Sequence, residues 1–165
     1  MNHKVSPYFI AQGALIAAAY VALTIAFAPI SFKEIQVRIS EALTILPVFT
    51  PSAVPGLAVG CLLANILGGA ELLDVIFGSL ATLIGAVGTR MLRNRKPVLA
   101  VIPPIVANML IIPFVLRYAY GILLPIPLMM LTIGIGEILS CGILGLLLYK
   151  VLFAHRKNIF KEEGR

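Results

Sequence analysis

The sequence predicts an all-α integral membrane protein of six transmembrane helices, with both termini cytoplasmic. Three observations predict it. The chain has 165 residues, of which 60% are hydrophobic and 12% charged, with a mean hydropathy of +1.03. A soluble domain carries roughly 25% charged residues, so this chain lacks the polar side chains to cover a water-facing surface. Removing short polar ends leaves about 140 residues, which at about 20 residues per span, with loops, makes six spans. The charge is also lopsided. Of 13 Lys and Arg, ten fall at one set of helix ends: Lys4, Arg90, Arg93, Arg95, Lys96, Lys150, Arg156, Lys157, Lys161 and Arg165. The positive-inside rule places those segments in the cytoplasm. Glu34, Glu41, Glu71, Asp74 and Glu137 lie on or toward the other side, with Lys33, Arg38 and Arg117. The net charge of +6 is therefore a topology signal and not a nucleic-acid one.

Each element follows in order. Span 1 covers about residues 8–28 and runs outward. Its Lys4, apolar core and Ala26-Phe27-Ala28 imitate a cleavable signal, but Pro29 blocks the cut and the apolar run is about 20 residues long, so it reads as a retained helix. Residues 29–37 form an outer loop. Span 2, about 39–49, is short and limited by Pro47 and Pro51. An uncharged inner turn at 50–55 leads to span 3, about 56–67, and the loop Gly68-Gly69-Ala70-Glu71. Spans 2 and 3 are shorter than a bilayer needs, so they tilt, thin the bilayer or sit behind neighbours. Span 4, about 73–92, returns to the basic loop 93–96. Span 5, about 98–116, contains Pro103, Pro104 and Pro113 and should be kinked. After the outer loop 117–127, span 6 covers about 128–153 and leads into a basic tail, about 154–165. The whole of 1–165 reads as a single transmembrane domain without repeats or linkers.

Polar side chains near the bilayer cost free energy, so each is a functional candidate. The run Gln36-Val37-Arg38-Ile39-Ser40-Glu41 lies between two apolar stretches. Arg38 and Glu41 either pair and cap span 2 or contact a ligand. Glu137 lies well inside span 6 behind Gly134 and Gly136, with Ser140 and Cys141 on its face. An ionised carboxylate there needs a partner: a ligand, Arg38, or a proton. Asn65 and Asn108 offer amide donors and acceptors, to a ligand or to neighbouring helices. Asp74 opens span 4, where an acid favours the helix N-terminus. Phe32, Tyr118 and Tyr120 are aromatics of the outer side, suited to stacking on a planar ligand or to an interfacial belt. Ala14, Ala18, Ala22 and Ala26, spaced by four, form a small-residue stripe on span 1. Such a stripe admits another helix backbone closely, within the bundle or on a partner protein.

Cys61 and Cys141 lie in apolar helices and are not spaced as metal ligands. They read as small buried hydrophobes. The chain shows no phosphate-binding Gly-Lys loop, no Ser/His/Asp set and no metal-ligand spacing. Its histidines, His3 and His155, are at the cytoplasmic ends. It is expected not to be an enzyme, and no metal or other cofactor is expected in it.

Ala28-Pro-Ile-Ser-Phe32, Val37-Arg-Ile-Ser-Glu-Ala-Leu-Thr-Ile-Leu-Pro47, Pro55-Gly-Leu-Ala-Val-Gly-Cys-Leu-Leu-Ala-Asn65 and Asp74-Val-Ile-Phe-Gly-Ser-Leu-Ala-Thr82 together resemble the queuosine-precursor transporter (QueT) family. These are substrate-binding S components of energy-coupling factor (ECF) transporters. The specific resemblance covers about residues 10–90; the second half resembles the family in spacing and hydropathy. It implies an S-component-like fold with the ligand near the outer face under the outer loops. The implied ligand is a 7-deazaguanine: the 7-cyano or 7-aminomethyl compound, or queuine. The implied partners are a transmembrane coupling protein and two cytoplasmic ATPases, in the cell membrane of a prokaryote. S components dock on the coupling protein through small residues of the first helix, a role that matches Ala14, Ala18 and Ala22.

A deazaguanine suits the candidates. Its pyrimidine edge presents an N–H beside an amino group, which a carboxylate such as Glu137 or Glu41 accepts as a pair. Arg38, Asn65 or Asn108 can donate to the adjoining carbonyl. A 7-aminomethyl group is cationic and suits Asp74 or Glu71. Two further readings stay open: an S component for a different vitamin-like ligand, and a non-transport membrane scaffold. Uptake without ATP by this chain alone would favour a third, a small channel or exchanger.

Overall fold

The computed structural model describes residues 6–27 and 38–159. All its regular elements are helical. They assemble into six helices: α1 (Pro7–Ala26), α2 (Ile39–Val48), α3 (Ala53–Leu67), α4 (Leu72–Met91), α5 (Pro97–Tyr118) and α6, which starts at Ile126 and ends at Ile159. Four of these, α1, α4, α5 and α6, are long and apolar enough to cross a membrane; α2 and α3 are shorter apolar helices. Phe32 and the rest of the expected loop at 29–37 lie outside the described residues.

The hydrophobic pattern is inverted relative to a soluble bundle. On α4, Leu72, Ile76, Leu80, Ile84, Val87 and Met91 are exposed while Asp74, Thr82 and Thr89 are buried. Apolar side chains meet lipid without cost, so the interior is where polar groups find partners.

α1 and α3 pack through small residues. A Cβ built on Gly56 would lie 2.7 Å from the Gly13 carbonyl oxygen, and one on Gly60 would lie 3.0 Å from Ala17 Cα. Contact this close needs the absence of a side chain. The packing stripe of α1 is therefore Gly13, Ala17 and Tyr20, all buried, while Ala14, Ala18, Ala22 and Ala26 face outward. α4 meets α5 in the same way, with Gly85 against Pro104 and Gly88 against Pro103.

The prolines of α5 interrupt it near its start: the helix breaks at Val101 between a first turn, Pro97–Ala100, and the long part, Ile102–Tyr118. Pro104 has no N–H for the carbonyl four residues earlier. That carbonyl, on Ala100, accepts the Thr89 hydroxyl instead, at 2.8 Å.

α2 is a 3₁₀ helix over all ten of its residues, with Pro47 inside it. Runs beyond three or four residues are uncommon, but each 3₁₀ residue rises about 2.0 Å against 1.5 Å in an α-helix. This extended winding lengthens the reach of a span that counts as short by residue number. Arg90 closes its end, donating to the carbonyls of Pro47 at 3.0 Å and Val48 at 3.5 Å. A cation there complements the helix C-terminus.

α6 changes its winding. It is α-helical over Ile126–Glu137, π-helical over Ile138–Leu144, and α-helical again from Gly145. It starts before residue 128 and runs into what the sequence suggested as a tail. α3 likewise begins three residues earlier than expected, and α5 continues to Tyr118. The π segment packs on the 3₁₀ helix, and a Cβ on Gly145 would lie 3.5 Å from the Ala42 carbonyl oxygen. The two irregular windings thus face each other inside the bundle. π segments inside α-helices occur often at functional sites.

Candidate functional site

Polar side chains from all six helices converge in the interior. In a 3₁₀ helix side chains three apart line up, so Glu41 and Thr44 of α2 share a face. That face meets Cys141, in the middle of the π segment of α6. Thr44 donates its hydroxyl to Cys141 Sγ at 3.3 Å, and the Cys141 thiol lies 3.5 Å from the Glu41 carbonyl oxygen and 3.1 Å from Glu137 Oε2. From α5, Asn108 donates its amide to Glu137 Oε1 at 2.9 Å. From α1, the Tyr20 hydroxyl donates to Glu41 Oε1, and Thr24 reaches Ser40 at 2.8 Å. Glu41 is 1% exposed and Glu137 3%.

A second group lies around Asp74. Its Oδ2 accepts from Arg38 at 3.5 Å and from the Tyr120 hydroxyl at 3.0 Å. Burial raises the Tyr120 pKa above the usual phenol range, so at neutral pH that hydroxyl keeps the proton it donates. The ion pair is longer than the about 2.7–2.9 Å of a tight charge-assisted bond. Asn65 of α3 donates to the Asp74 carbonyl at 3.2 Å.

Buried polar atoms are normally hydrogen-bonded, and each exception calls for an explanation. Here Glu41 Oε2, Asp74 Oδ1, Asn65 Oδ1 and Ser140 Oγ are buried and have no hydrogen-bond partner among the described residues. The first three are acceptors only. Glu137, by contrast, has both oxygens engaged.

The fold places Glu137, Glu41 and Asn108 in one group and Arg38, Asp74 and Asn65 in the other, all of them buried. It does not bring Tyr118 to either. Tyr118 is 74% exposed and lines an apolar groove of about 330 Å³ between α4 and α5, with Phe77 and Phe114. Among the described residues, the aromatic side chain that reaches the polar interior from that end is Tyr120. Phe32 lies outside the described residues.

Sequence reasoning passed over Tyr20, Thr24 and Thr44. Their signal was available: Tyr20 and Thr24 are four apart on a helix otherwise made of alanine and aliphatic residues, and so share a face. Linear spacing showed no metal-ligand set either, yet folding brings ligand atoms of Glu41, Glu137 and Cys141 within 4.8 Å of one another. Hydrogen-bond donation from Cys141 and Asn108 to Glu137 already occupies that carboxylate, so the arrangement is also satisfied without an ion.

Comparison with known proteins extends the reading. A family model described as QueT transporter matches residues 10–154. A curated relative named queuosine precursor transporter QueT, from Lactococcus lactis subsp. cremoris (strain MG1363), is 36% identical over 83 residues. That alignment takes in 49% of this chain and 48% of the relative, so it spans about half the length of each. No solved structure matches the chain. The family match encloses both polar groups, and the chain belongs to the QueT transporter family.

Proposed function

We propose that this chain is the substrate-binding S component of an ECF-type importer, capturing a queuosine precursor of the 7-deazaguanine class. The observation that carries the proposal is Glu41. Its Oε2 is an acceptor with no partner among the described residues, buried beside Glu137 where the 3₁₀ and π windings meet. A deazaguanine edge, with its N–H next to an amino group, supplies donors for such a carboxylate. Asn108 and Cys141 hold Glu137 in place next to it, and Tyr20 holds the other oxygen of Glu41. The printed name of the Lactococcus relative supports the same ligand class.

Capture is at the outer face in this reading, with both termini in the cytoplasm, which the positive-inside placement of the basic segments supports. The chain itself hydrolyses nothing and carries no cofactor. A transmembrane coupling protein and two cytoplasmic ATPases supply the energy. Ala14, Ala18 and Ala22 are the docking face for the coupling protein. They are exposed, whereas the small residues that pack inside the bundle are Gly13 and Ala17. Ala14 also borders a groove of about 260 Å³ along α1 and α3, between Phe9, Pro55 and Val59. Transport then consists of capture, docking of α1 and tilting of the bundle.

The test is thermal stabilisation of the purified protein in detergent against 7-deazaguanines, guanine, riboflavin, biotin and thiamine. A ligand that binds only the native state raises apparent stability by mass action. A shift with deazaguanines alone is expected. A shift with one of the vitamins alone would keep the transporter and discard this ligand class.

A further inference from the structure

We infer, resting on the reading just given, that Tyr20, Thr24 and Gln12 of α1 are positioning residues: they clamp α2 at both ends, hold it in its 3₁₀ winding and so keep Glu41 turned toward the ligand.

A 3₁₀ helix of ten residues needs something to hold it. Its hydrogen-bond geometry is poorer than that of an α-helix, and runs beyond three or four residues are uncommon. Here the winding persists from Ile39 to Val48. Rewinding those residues as an α-helix would shorten the span by about 5 Å, because each would rise about 1.5 Å in place of about 2.0 Å.

α1 stands against that shortening at two points. In its second half, the Tyr20 hydroxyl donates to Glu41 Oε1, and the Thr24 and Ser40 hydroxyls bond each other at 2.8 Å. Near its start, Gln12 Oε1 accepts from Thr50 at 2.6 Å and from Ser52 at 2.7 Å, beyond the end of α2. Gln12 and Thr24 lie about 18 Å apart along α1 at 1.5 Å per residue. A hydrogen bond does not survive a displacement of about 5 Å, so α2 cannot rewind without breaking one of the two sets. Tyr20, Thr24, Ser40 and Glu41 are all buried, and breaking their set would leave buried polar groups short of partners. α1 is itself seated on α3 by the close approach of Gly56 to Gly13 and of Gly60 to Ala17, which gives the clamp a rigid back.

The winding matters to the site. In the 3₁₀ helix Glu41 and Thr44 point the same way, and Thr44 meets Cys141 of α6. At α-helical steps the two side chains would diverge by about 60°, so they could not both keep their present partners. Tyr20 also takes Oε1 of Glu41, which leaves Oε2 as the oxygen for the ligand. Ala14 and Ala18 are exposed on the same helix. The helix proposed to dock thus also holds the acid proposed to meet the ligand.

The experiment measures two things on the purified full-length chain in detergent. Calorimetry gives the affinity for 7-cyano-7-deazaguanine and for the 7-aminomethyl compound. Hydrogen exchange read by mass spectrometry gives the protection of residues 39–49 and, for comparison, 72–91. The variants are Tyr20→Phe and Gln12→Leu, with Ser79→Ala as control, since the Ser79 hydroxyl bonds back within α4 to the Val75 carbonyl. Affinity is expected to fall about tenfold in Tyr20→Phe and several-fold in Gln12→Leu, about 12 Å further along α1. Exchange at 39–49 is expected to rise in both, with 72–91 and the control unchanged. In a Glu41→Gln background the loss caused by Tyr20→Phe is expected to vanish, whereas a general loss of stability would appear in both backgrounds. Circular dichroism and size-exclusion profiles establish folding; where Tyr20→Phe does not fold, Gln12→Leu decides. Unchanged exchange at 39–49 in folded variants, or a rise equal at 72–91, would overturn the clamp. Raised exchange with unchanged affinity would overturn its role in presenting Glu41. Either result would leave the importer reading intact. Binding of neither compound by the unaltered chain would remove that reading and the role at the ligand together, and exchange at 39–49 would still decide the clamp.

Discussion

Asn108 donates to Glu137 Oε1 at 2.9 Å, linking α5 to α6 at the last residue before the π segment. The same carboxylate accepts from Cys141 one turn later. Glu137 is therefore fully engaged within the protein, while its neighbour Glu41 keeps one oxygen without a partner among the described residues. On the proposed reading the two acids have different roles: Glu41 presents its open oxygen to the ligand, and Glu137 sets the shape of the site.

The first prediction separates these roles. Glu41→Gln replaces an acceptor by a donor at the open position and is expected to weaken deazaguanine binding by about tenfold or more. Glu137→Gln, whose partners can reorient, is expected to weaken it less. Titration calorimetry on both variants checks the order. Equal affinity of Glu41→Gln and the unaltered protein would dismiss Glu41 as the ligand's partner.

A second prediction concerns docking. Ala14→Leu together with Ala18→Leu adds bulk on the exposed stripe and none in the core, so ligand binding is expected to stay within a few-fold and ATP-driven uptake to stop. Binding is measured on the isolated chain and uptake in vesicles holding the complete transporter. Uptake at the normal rate would remove the stripe from the mechanism.

The α1–α3 contact supplies a third. Gly56→Ala places a methyl group 2.7 Å from the Gly13 carbonyl oxygen, an overpacking expected to cost about 1–3 kcal/mol. Gly142→Ala is the comparison, since its nearest neighbour would be Ile138 Cγ2 at 3.7 Å. Thermal unfolding in detergent should show a lower midpoint for Gly56→Ala than for Gly142→Ala; the reverse order would mean that the two helices do not approach this closely.

Thr89 is the subject of the fourth. Thr89→Val keeps the shape and removes the donor to the Ala100 carbonyl, for which Pro104, four residues on, has no N–H. Leaving such a group unpaired is expected to cost about 1–3 kcal/mol. Restoring a residue with an N–H, as in Pro104→Ala, should make the Thr89→Val change cheaper, and a double-mutant cycle measures the coupling. Full additivity would disprove the compensation.

Much of the architecture was legible in the residues. Six helices, the alanine stripe as one face of the first of them and the polar candidates Glu137, Glu41, Arg38, Asn65, Asn108 and Asp74 all follow from hydropathy, periodicity and the cost of polar groups in lipid; that the stripe faces outward, with Gly13 and Ala17 packing inward instead, does not. The windings of α2 and α6 were not legible. Hydropathy counts residues per span and is blind to hydrogen-bond pattern, so a ten-residue 3₁₀ span reads as a helix that is too short. The choice between Tyr118 and Tyr120 was equally hidden, because it depends on where α5 ends: Tyr118 is its last residue and Tyr120 lies where the chain has turned.

By itself the sequence determined the class of the protein and the polar groups it must hide. Too few charged residues, apolar runs of membrane length and basic segments at alternate helix ends leave no other solvent for it than a bilayer. Tertiary structure alone decided how those groups pair. Glu41 and Glu137, far apart in the chain, meet because α2 packs on α6; Asp74 meets Arg38 and Tyr120 because α4 starts beside both. Which acceptors remain open is a property of that packing, since a lone pair is used or spared by its neighbours in space, and linear order does not record them.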